Sequence, residues 1–211
     1  MSNQLLERRR VLMASTGVKL VNYIEFHDGE TITIPRSTTW PLSLAIRMTI
    51  KAGTSTQRII EYLSESNTVV YSLGLTSGLK VSAVGFNGGN AYQDGNTIEV
   101  VEFQSRSDNR WYFRAYSRKV GNTSWNGAVS KYLDGYSTER TKIRFGRNCT
   151  DGTRLHFARI ADHSSNNGDR AYNAVPDSNY LPAILDEEIG LYDAVSGNFY
   201  SGDGNGYLTY G

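Results

Sequence analysis

Hydrolysis of a glycosidic bond needs two carboxyl groups facing each other across the sugar, about 5–5.5 Å apart in a retaining enzyme. Glu99 and Glu102 come nearest to such a pair, but their three-residue spacing sends them to opposite faces of a regular strand. Asp186-Glu187-Glu188 is clustered, and its setting reads as a loop where the charges meet solvent. His27, His156 and His163 are too dispersed for a metal or catalytic cluster. His156, between Leu155 and Phe157, reads as a packed strand residue, and His27 beside Asp28 as a turn. The Gly-x-Ser-x-Gly elbow and the phosphate-binding glycine motifs are absent. Ser201-Gly202-Asp203-Gly204-Asn205-Gly206 has the look of an oxygen-ligand calcium loop, but it lacks the leading acid, and the position of the closing glutamate falls beyond Gly211. It reads as a plain hairpin turn; a divalent ion assembled from distant loops stays open. Cys149 is the single cysteine, which excludes an internal disulfide and suits a small turn or buried residue better than a nucleophile. The expectation is a protein without catalytic residues, resident metal or cofactor.

Binding chemistry has a better local basis. Trp111, Tyr112, Tyr116, Trp125, Tyr132 and Tyr136 offer aromatic faces on which the apolar side of a sugar can stack. Alternate aromatics in the strand-like run 111–116 must also fill core, so Trp125, in a polar loop, is the exposed candidate. The expected glycan contacts are Trp125 with Asn122, Asn126, Tyr132 and Asp134, whose polar groups can meet sugar hydroxyls. Arg8-Arg9-Arg10 supplies three cations, only part of a multi-phosphate footprint and without interleaved aromatics. With Leu5, Leu6, Leu12 and Met13 they make residues 1–16 an arm for docking to another protein rather than to a specific nucleic acid.

These residues must be positioned by strands. Residues 2–14 are the one helical candidate, too short to hold alone, with Ser15-Thr16-Gly17 as a hinge. Strand signals then follow one another: Tyr23–Phe26, the turn His27–Glu30, Thr31–Ile34, and Leu42–Ile50. In the last of these, Leu42, Leu44, Ile46, Met48 and Ile50 share one face, and Ser43, Ala45, Arg47 and Thr49 the other. Gln57–Leu63, Val69–Leu73 and Leu79–Phe86 continue the series. Thr97–Gln104 and Arg110–Arg118 are expected to pair across Ser107-Asp108-Asn109, and Lys142–Gly146 and Arg154–Ile160 across residues 148–152. Short strands follow around Ile189, Leu191, Tyr207 and Leu208, and the C-terminal run is expected to complete a sheet. Many short strands divided by turns argue for a sandwich or barrel.

Composition agrees. The chain has 211 residues, with 21 glycines and 14 tyrosines against 4 prolines. Lysine plus arginine total 22 and aspartate plus glutamate 21, so no global charge favours nucleic acid. No apolar run approaches 18 residues, and the start lacks the ordered regions of a secretory signal, so no membrane insertion is expected.

The sequence also resembles a known group. Tyr23-Ile24-Glu25-Phe26 followed by Ile32, then Phe145-Gly146-Arg147-Asn148 followed by Leu155–Ile160, are similar to strands of concanavalin A-like lectin/glucanase domains, especially their laminin-G-like jelly rolls. Val175-Pro176, Gly190-Leu191-Tyr192-Asp193, Phe199-Tyr200 and Gly204–Gly211 resemble the closing segment of such domains. The resemblance spans residues 20–211 and is weaker over 87–140. It implies an all-β, two-sheet antiparallel jelly-roll sandwich over 17–211, with a short helical or extended arm at 1–16. Glucanases of this group carry a Glu-x-Asp-x-x-Glu run, which this chain lacks. The stretch Arg8–Ser15 resembles the heads of some tailed-phage structural proteins. Together these resemblances imply a non-enzymatic bacteriophage virion protein, made in the host cytoplasm, that decorates a capsid or forms part of a tail or head fibre. Its expected partners are other virion proteins, its own copies and a host-surface glycan. The alternative is a carbohydrate-binding lectin or adhesion module, and a glycoside hydrolase comes third.

Overall fold

The computed structural model describes residues 17–35, 42–50, 57–75, 81–83, 86–87, 97–107, 110–119, 123, 126–133, 141–162 and 176–211. The arm at 1–16, with Leu5, Leu6, Arg8, Arg9, Arg10, Leu12 and Met13, lies outside them. Seventeen strands are described: β1 Lys19–Leu20, β2 Ile24–His27, β3 Ile32–Pro35, β4 Leu42–Thr49, β5 Gln57–Leu63, β6 Val69–Leu75, β7 Val81–Ala83, β8 Phe86–Asn87, β9 Thr97–Ser107, β10 Arg110–Lys119, β11 Asn126–Leu133, β12 Lys142–Phe145, β13 Thr153–Asp162, β14 Ser178–Leu185, β15 Glu188–Asp193, β16 Phe199–Ser201 and β17 Tyr207–Tyr210.

Their pairings are antiparallel and form two sheets. The larger has 11 strands along the path β11-β10-β9-β4-β13-β14-β15-β16, with β2, β17 and β1 attached; the smaller has six, in the order β3-β12-β5-β6-β7-β8. The chain crosses repeatedly between them: β2 is in the large sheet, β3 in the small, β4 in the large, β5–β8 in the small, β9–β11 in the large, β12 in the small and β13–β17 in the large. The result is an all-β, jelly-roll-like sandwich.

Alternation builds the core between the sheets. Ile24 and Phe26, Leu44, Ile46 and Met48, and Leu155, Ala158 and Ile160 face inward from the large sheet. Ile32 and Ile34, Ile60 and Tyr62, and Ile143 and Phe145 meet them from the small one. The expected inner face of β4 is observed from Leu44 to Ile50, all buried. The other face is less polar than alternation suggests: Ala45 is also buried, packed with Phe157, Ala161 and Leu181.

Several local expectations hold. Gln57–Leu63 is a strand with those bounds, and β9 pairs with β10 across residues 108–109. Glu99 sits at the register of Arg47 and Glu102 at that of the core residue Leu44, so the two acids occupy alternating positions. Residues 79–86 contribute two short strands, β7 and β8, in place of one.

Two pairings differ from expectation. β12 and β13 are not partners: β12 lies between β3 and β5, and β13 beside β4, β2 and β14. Residues 146–152 make two successive turns, Cys149 N–H to the Gly146 carbonyl and Thr153 N–H to the Thr150 carbonyl, with Gly146, Asn148 and Gly152 at positive φ. This carries the chain from one sheet to the other. Likewise, residues 202–206 are not a hairpin, because β16 pairs with β15 while β17 pairs with β2. The C-terminal run does join a sheet, zipped onto β2 from Tyr207↔His27 to Tyr210↔Ile24. By contrast, Asp186 (φ 49°) and Glu187 (φ 71°) form a two-residue turn with the twist that a β14–β15 hairpin requires.

Candidate functional site

At one rim of the sandwich, β3, an edge strand of the small sheet, lies close to β16, at the end of the large sheet's path. An open groove of about 590 Å³ runs there, within the size range of small-ligand sites. Its apolar part is Ile34 and Leu63, both buried, and Pro35, exposed at the rim. Pro35 has no N–H, so the edge strand offers one donor fewer for adventitious strand pairing. The polar part comes from five places in the chain.

The first is strand β3 itself. Thr31-Ile32-Thr33-Ile34 alternates, with Ile32 and Ile34 in the core, which sends the half-buried Thr33 toward the groove. The second is β12, where Ile143 and Phe145 are buried and Lys142 and Arg144 line the groove. The third is the β5–β6 turn. Ser64 N–H donates to the Thr68 carbonyl and Asn67 N–H to the Ser64 carbonyl, with Asn67 at φ 63°. This presents the Asn67 carboxamide oxygen to Lys142 Nζ at 2.8 Å, and the Glu65 carbonyl accepts from the same ammonium at 3.3 Å. The fourth is Tyr200 on β16, whose ring meets Tyr180 edge-on with centroids 5.8 Å apart. Burial holds the Tyr200 phenol above its ordinary pKa, with Asp193 adding to the rise and a hydrogen bond with Asn198 opposing it, so it remains a protonated donor at neutral pH.

The fifth is the glycine-rich segment 202–206. Asp203 N–H donates to the Thr31 carbonyl at 2.9 Å, and Thr31 Oγ1 donates to Asp203 Oδ1 at 2.7 Å. The buried Glu30 carboxylate accepts from Thr31 N–H at 2.9 Å and from Gly204 N–H. The backbones approach so closely that a Cβ at Gly206 would stand 2.0 Å from the His27 carbonyl oxygen. The glycines therefore serve close packing, and the acid of the calcium-like motif orders Thr31. Among the described residues no group of three His, Cys, Asp or Glu could hold a metal ion.

Arg144 lines the groove with its charge already balanced. Its Nε lies 2.8 Å from Oε2 of Glu61, which its Nη2 also reaches, while Arg58 Nη1 lies 3.2 Å from Oε1. The Glu61 side chain is fully buried. Cys149 is half-buried nearby, with its thiol 3.7 Å from the Arg58 carbonyl. Burial, and secondarily Glu61, pushes that thiol up to about 12, which suits a packed residue and not a nucleophile.

A second polar and aromatic cluster covers part of the large sheet around β2, β13 and β17. Its groups satisfy one another. Arg154 Nε pairs with Glu25 at 2.6 Å and lies over the Tyr23 ring at 4.3 Å. His27 stacks on Tyr207 at 4.7 Å and meets Thr209 Oγ1 at 3.1 Å. His156 Nε2 lies 2.8 Å from Thr49 Oγ1. His156 is thus a half-buried strand residue, as its neighbours suggested, and this network ties the C-terminal strand to the sheet.

The sequence-derived glycan contacts are placed only in part. Trp125, Asn122 and Asp134 lie outside the described residues. Asn126 is the first residue of β11 and Tyr132 the last but one, at the registers of Ser117 and Tyr112. None of the groove residues Thr33, Asn67, Lys142, Tyr200 and Asp203 was expected from the sequence as a glycan contact; Asp203 drew notice only in the calcium-like run and Tyr200 only in the closing segment. Their signal was there in the alternation Lys142-Ile143-Arg144-Phe145 and Thr31-Ile32-Thr33-Ile34, which marks Lys142, Arg144 and Thr33 as outward-facing. What brings them to one rim is the crossing between sheets.

No protein-family model matches the chain, and no curated protein matches it. Similar solved structures include a native heptameric SAP-like pentraxin from Limulus polyphemus, at 11% identity and TM-score 0.49, covering 93% of this chain and 95% of that one. Another is the mouse laminin alpha1 chain, domains LG4-5, at 9% identity and TM-score 0.45, covering 92% of this chain and 79% of that one. These likenesses are remote, and the sandwich stands on its own strand pairing. The expectation of a bacteriophage virion, capsid-decoration or head-fibre protein is corrected here: the structures found similar are a pentraxin and laminin domains, and no observation on the described residues supports a particle role. The stretch behind that expectation, Arg8–Ser15, lies outside the described residues.

Proposed function

We propose that this protein is a non-enzymatic carbohydrate-binding module, of lectin or adhesion type, and that the rim groove is its sugar site. The observation that carries the reading is the juxtaposition of one aromatic side chain, Tyr200, with short polar groups from separate segments, Thr33, Asn67, Lys142 and Asp203, around a groove of about 590 Å³. A saccharide presents an apolar face and a ring of hydroxyls. A site for it needs an aromatic surface beside acceptors and donors held in place before binding. Lys142 is held by Asn67 and Glu65, and Asp203 by Thr31, so little ordering is left for the ligand to impose.

The test is a glycan array followed by calorimetry on the parent and on Thr33→Trp. Tryptophan suits a strand position and fills the groove. The expected result is binding by the parent and at least about a tenfold loss in the variant, with the melting temperature little changed. Equal binding by the folded variant moves the site elsewhere, and a parent that binds no glycan overturns the reading. Trp125, with Asn122, Asn126, Tyr132 and Asp134, stands as a second proposed contact. Trp125→Ala tests that contact on the same array, beside Thr33→Trp in the groove. Residues 1–16 are proposed as an arm that joins copies, which native mass spectrometry of the chain with and without them tests.

A further inference from the structure

We infer that the rim groove selects an acidic saccharide, one carrying a carboxylate or sulfate group, and that Lys142 is the residue that selects it. This rests on the groove being the sugar site proposed above. Among the described residues three charged side chains line the groove: Lys142, Arg144 and Asp203. Arg144 is committed to the buried Glu61 carboxylate. Lys142 differs: among the described residues its ammonium meets two neutral acceptors, the Asn67 carboxamide at 2.8 Å and the Glu65 carbonyl at 3.3 Å. An ammonium has three N–H donors, so one is left for an acceptor outside the protein. Lys142 is half-buried beside Pro35 and Leu63, its register partners. A neutral sugar seated there would cover the charge without compensating it, which is unfavourable. A carboxylate or sulfate would make a charge-assisted hydrogen bond, roughly twice as strong as a neutral one.

Asp203 supports the same orientation. Its carboxylate is held by the Thr31 hydroxyl; it accepts from sugar hydroxyls and repels an acidic substituent. A saccharide with one anionic group would therefore place that group on Lys142 and its hydroxyls against Asp203. The neutral acceptors also fix the lysine stem in advance, so its entropy is lost on folding rather than on binding.

The experiment compares three oligosaccharide probes of matched length, one uronic-acid-containing, one sulfated and one neutral, against the parent, Asn67→Asp, Lys142→Gln and Lys142→Arg. Asn67→Asp is the decisive variant. It puts a carboxylate against the ammonium without removing the lysine, and aspartate tolerates the positive φ of 63° that this position has. The expected result is preference of the parent for an acidic probe, falling as salt is raised. That preference should drop about tenfold in Asn67→Asp and Lys142→Gln and be kept in Lys142→Arg. The uronic and sulfated probes distinguish the two sources of the negative group. Equal binding of acidic and neutral probes, or an unchanged preference in folded Asn67→Asp, overturns this inference while leaving the sugar site standing. Absence of binding to all three probes, with none on a wider array, overturns the sugar site and the inference together.

Discussion

Removing the arginine opposite Glu61 isolates a carboxylate that the fold buries completely. Glu61 has no exposed side-chain surface, Arg144 is 13% exposed and Arg58 is 47% exposed. In Arg144→Met the two Arg144 contacts, from Nε and Nη2, disappear. Arg58 remains, but at nearly half exposure its attraction is screened and is within about 1 kcal/mol. Breaking a buried pair from one side costs about 3–5 kcal/mol, because the remaining charge stays desolvated. In a chain of 211 residues each kcal/mol moves the melting temperature by about 2–4 °C, so the expected fall is roughly 6–20 °C. Adding Glu61→Gln to Arg144→Met removes the stranded charge and should recover most of the loss. Urea unfolding followed by tryptophan fluorescence measures both variants. A loss below about 1 kcal/mol in Arg144→Met, or no recovery in the double variant, refutes the argument that an uncompensated buried charge sets the cost.

Three further outcomes are expected. Gly146 has φ 91°, and a Cβ there would stand 2.5 Å from Phe26 Cδ1 and 2.7 Å from the Glu30 carbonyl oxygen; Gly146→Ala should cost about 2–5 kcal/mol from strain and overpacking together, and a loss below about 1 kcal/mol in chemical denaturation would contradict this. Burial, with smaller contributions from Arg47 and Arg154 and against a hydrogen bond to the Asn22 backbone, holds His156 below its ordinary value of 6.5. The unfolded chain then takes up the proton first, so its stabilisation is full above about pH 7 and is lost as pH falls through 6.5 toward the folded value; His156→Gln should flatten that part of the stability curve, and an equally steep curve would remove His156 as the cause. The Cys149 thiol, pushed up to about 12 mainly by burial, should resist a thiol reagent at pH 8 in the folded protein and react once in denaturant, whereas rapid reaction of the native protein would contradict its burial.

Strand identity was legible because alternation is a local property. Leu44, Ile46 and Met48 are two residues apart, and a pleated strand must put them on one side whatever its neighbours. The β9–β10 pair was legible too, since only residues 108–109 separate the two strands in sequence. The β12–β13 pairing misled because the same short connection can fold back within a sheet or cross to the facing one. Gly146, Asn148 and Gly152 permit the positive φ values of the crossing but do not announce which sheet lies at its end. Glu61 shows the same limit. A lone glutamate in Gln57–Leu63 reads as a solvent-facing residue, and only the placement of β12 alongside β5 brings Arg144 to it.

The amino-acid sequence by itself determined the class of this protein. Period-two apolar positions and glycine-marked turns require strands that bury one face, and the polar and aromatic residues of the chain offer binding contacts rather than an acid pair or a nucleophile motif. Tertiary structure decided which polar and aromatic groups collect at one rim. Thr33, Asn67, Lys142, Tyr200 and Asp203 are spread over 170 residues of chain and share a groove because an edge strand of one sheet meets β16, the strand that ends the path of the other. Local propensity acts over a few residues and fixes the direction of each side chain within its own strand. Which strands become neighbours depends on how two apolar faces cover each other, a condition set by the whole core at once.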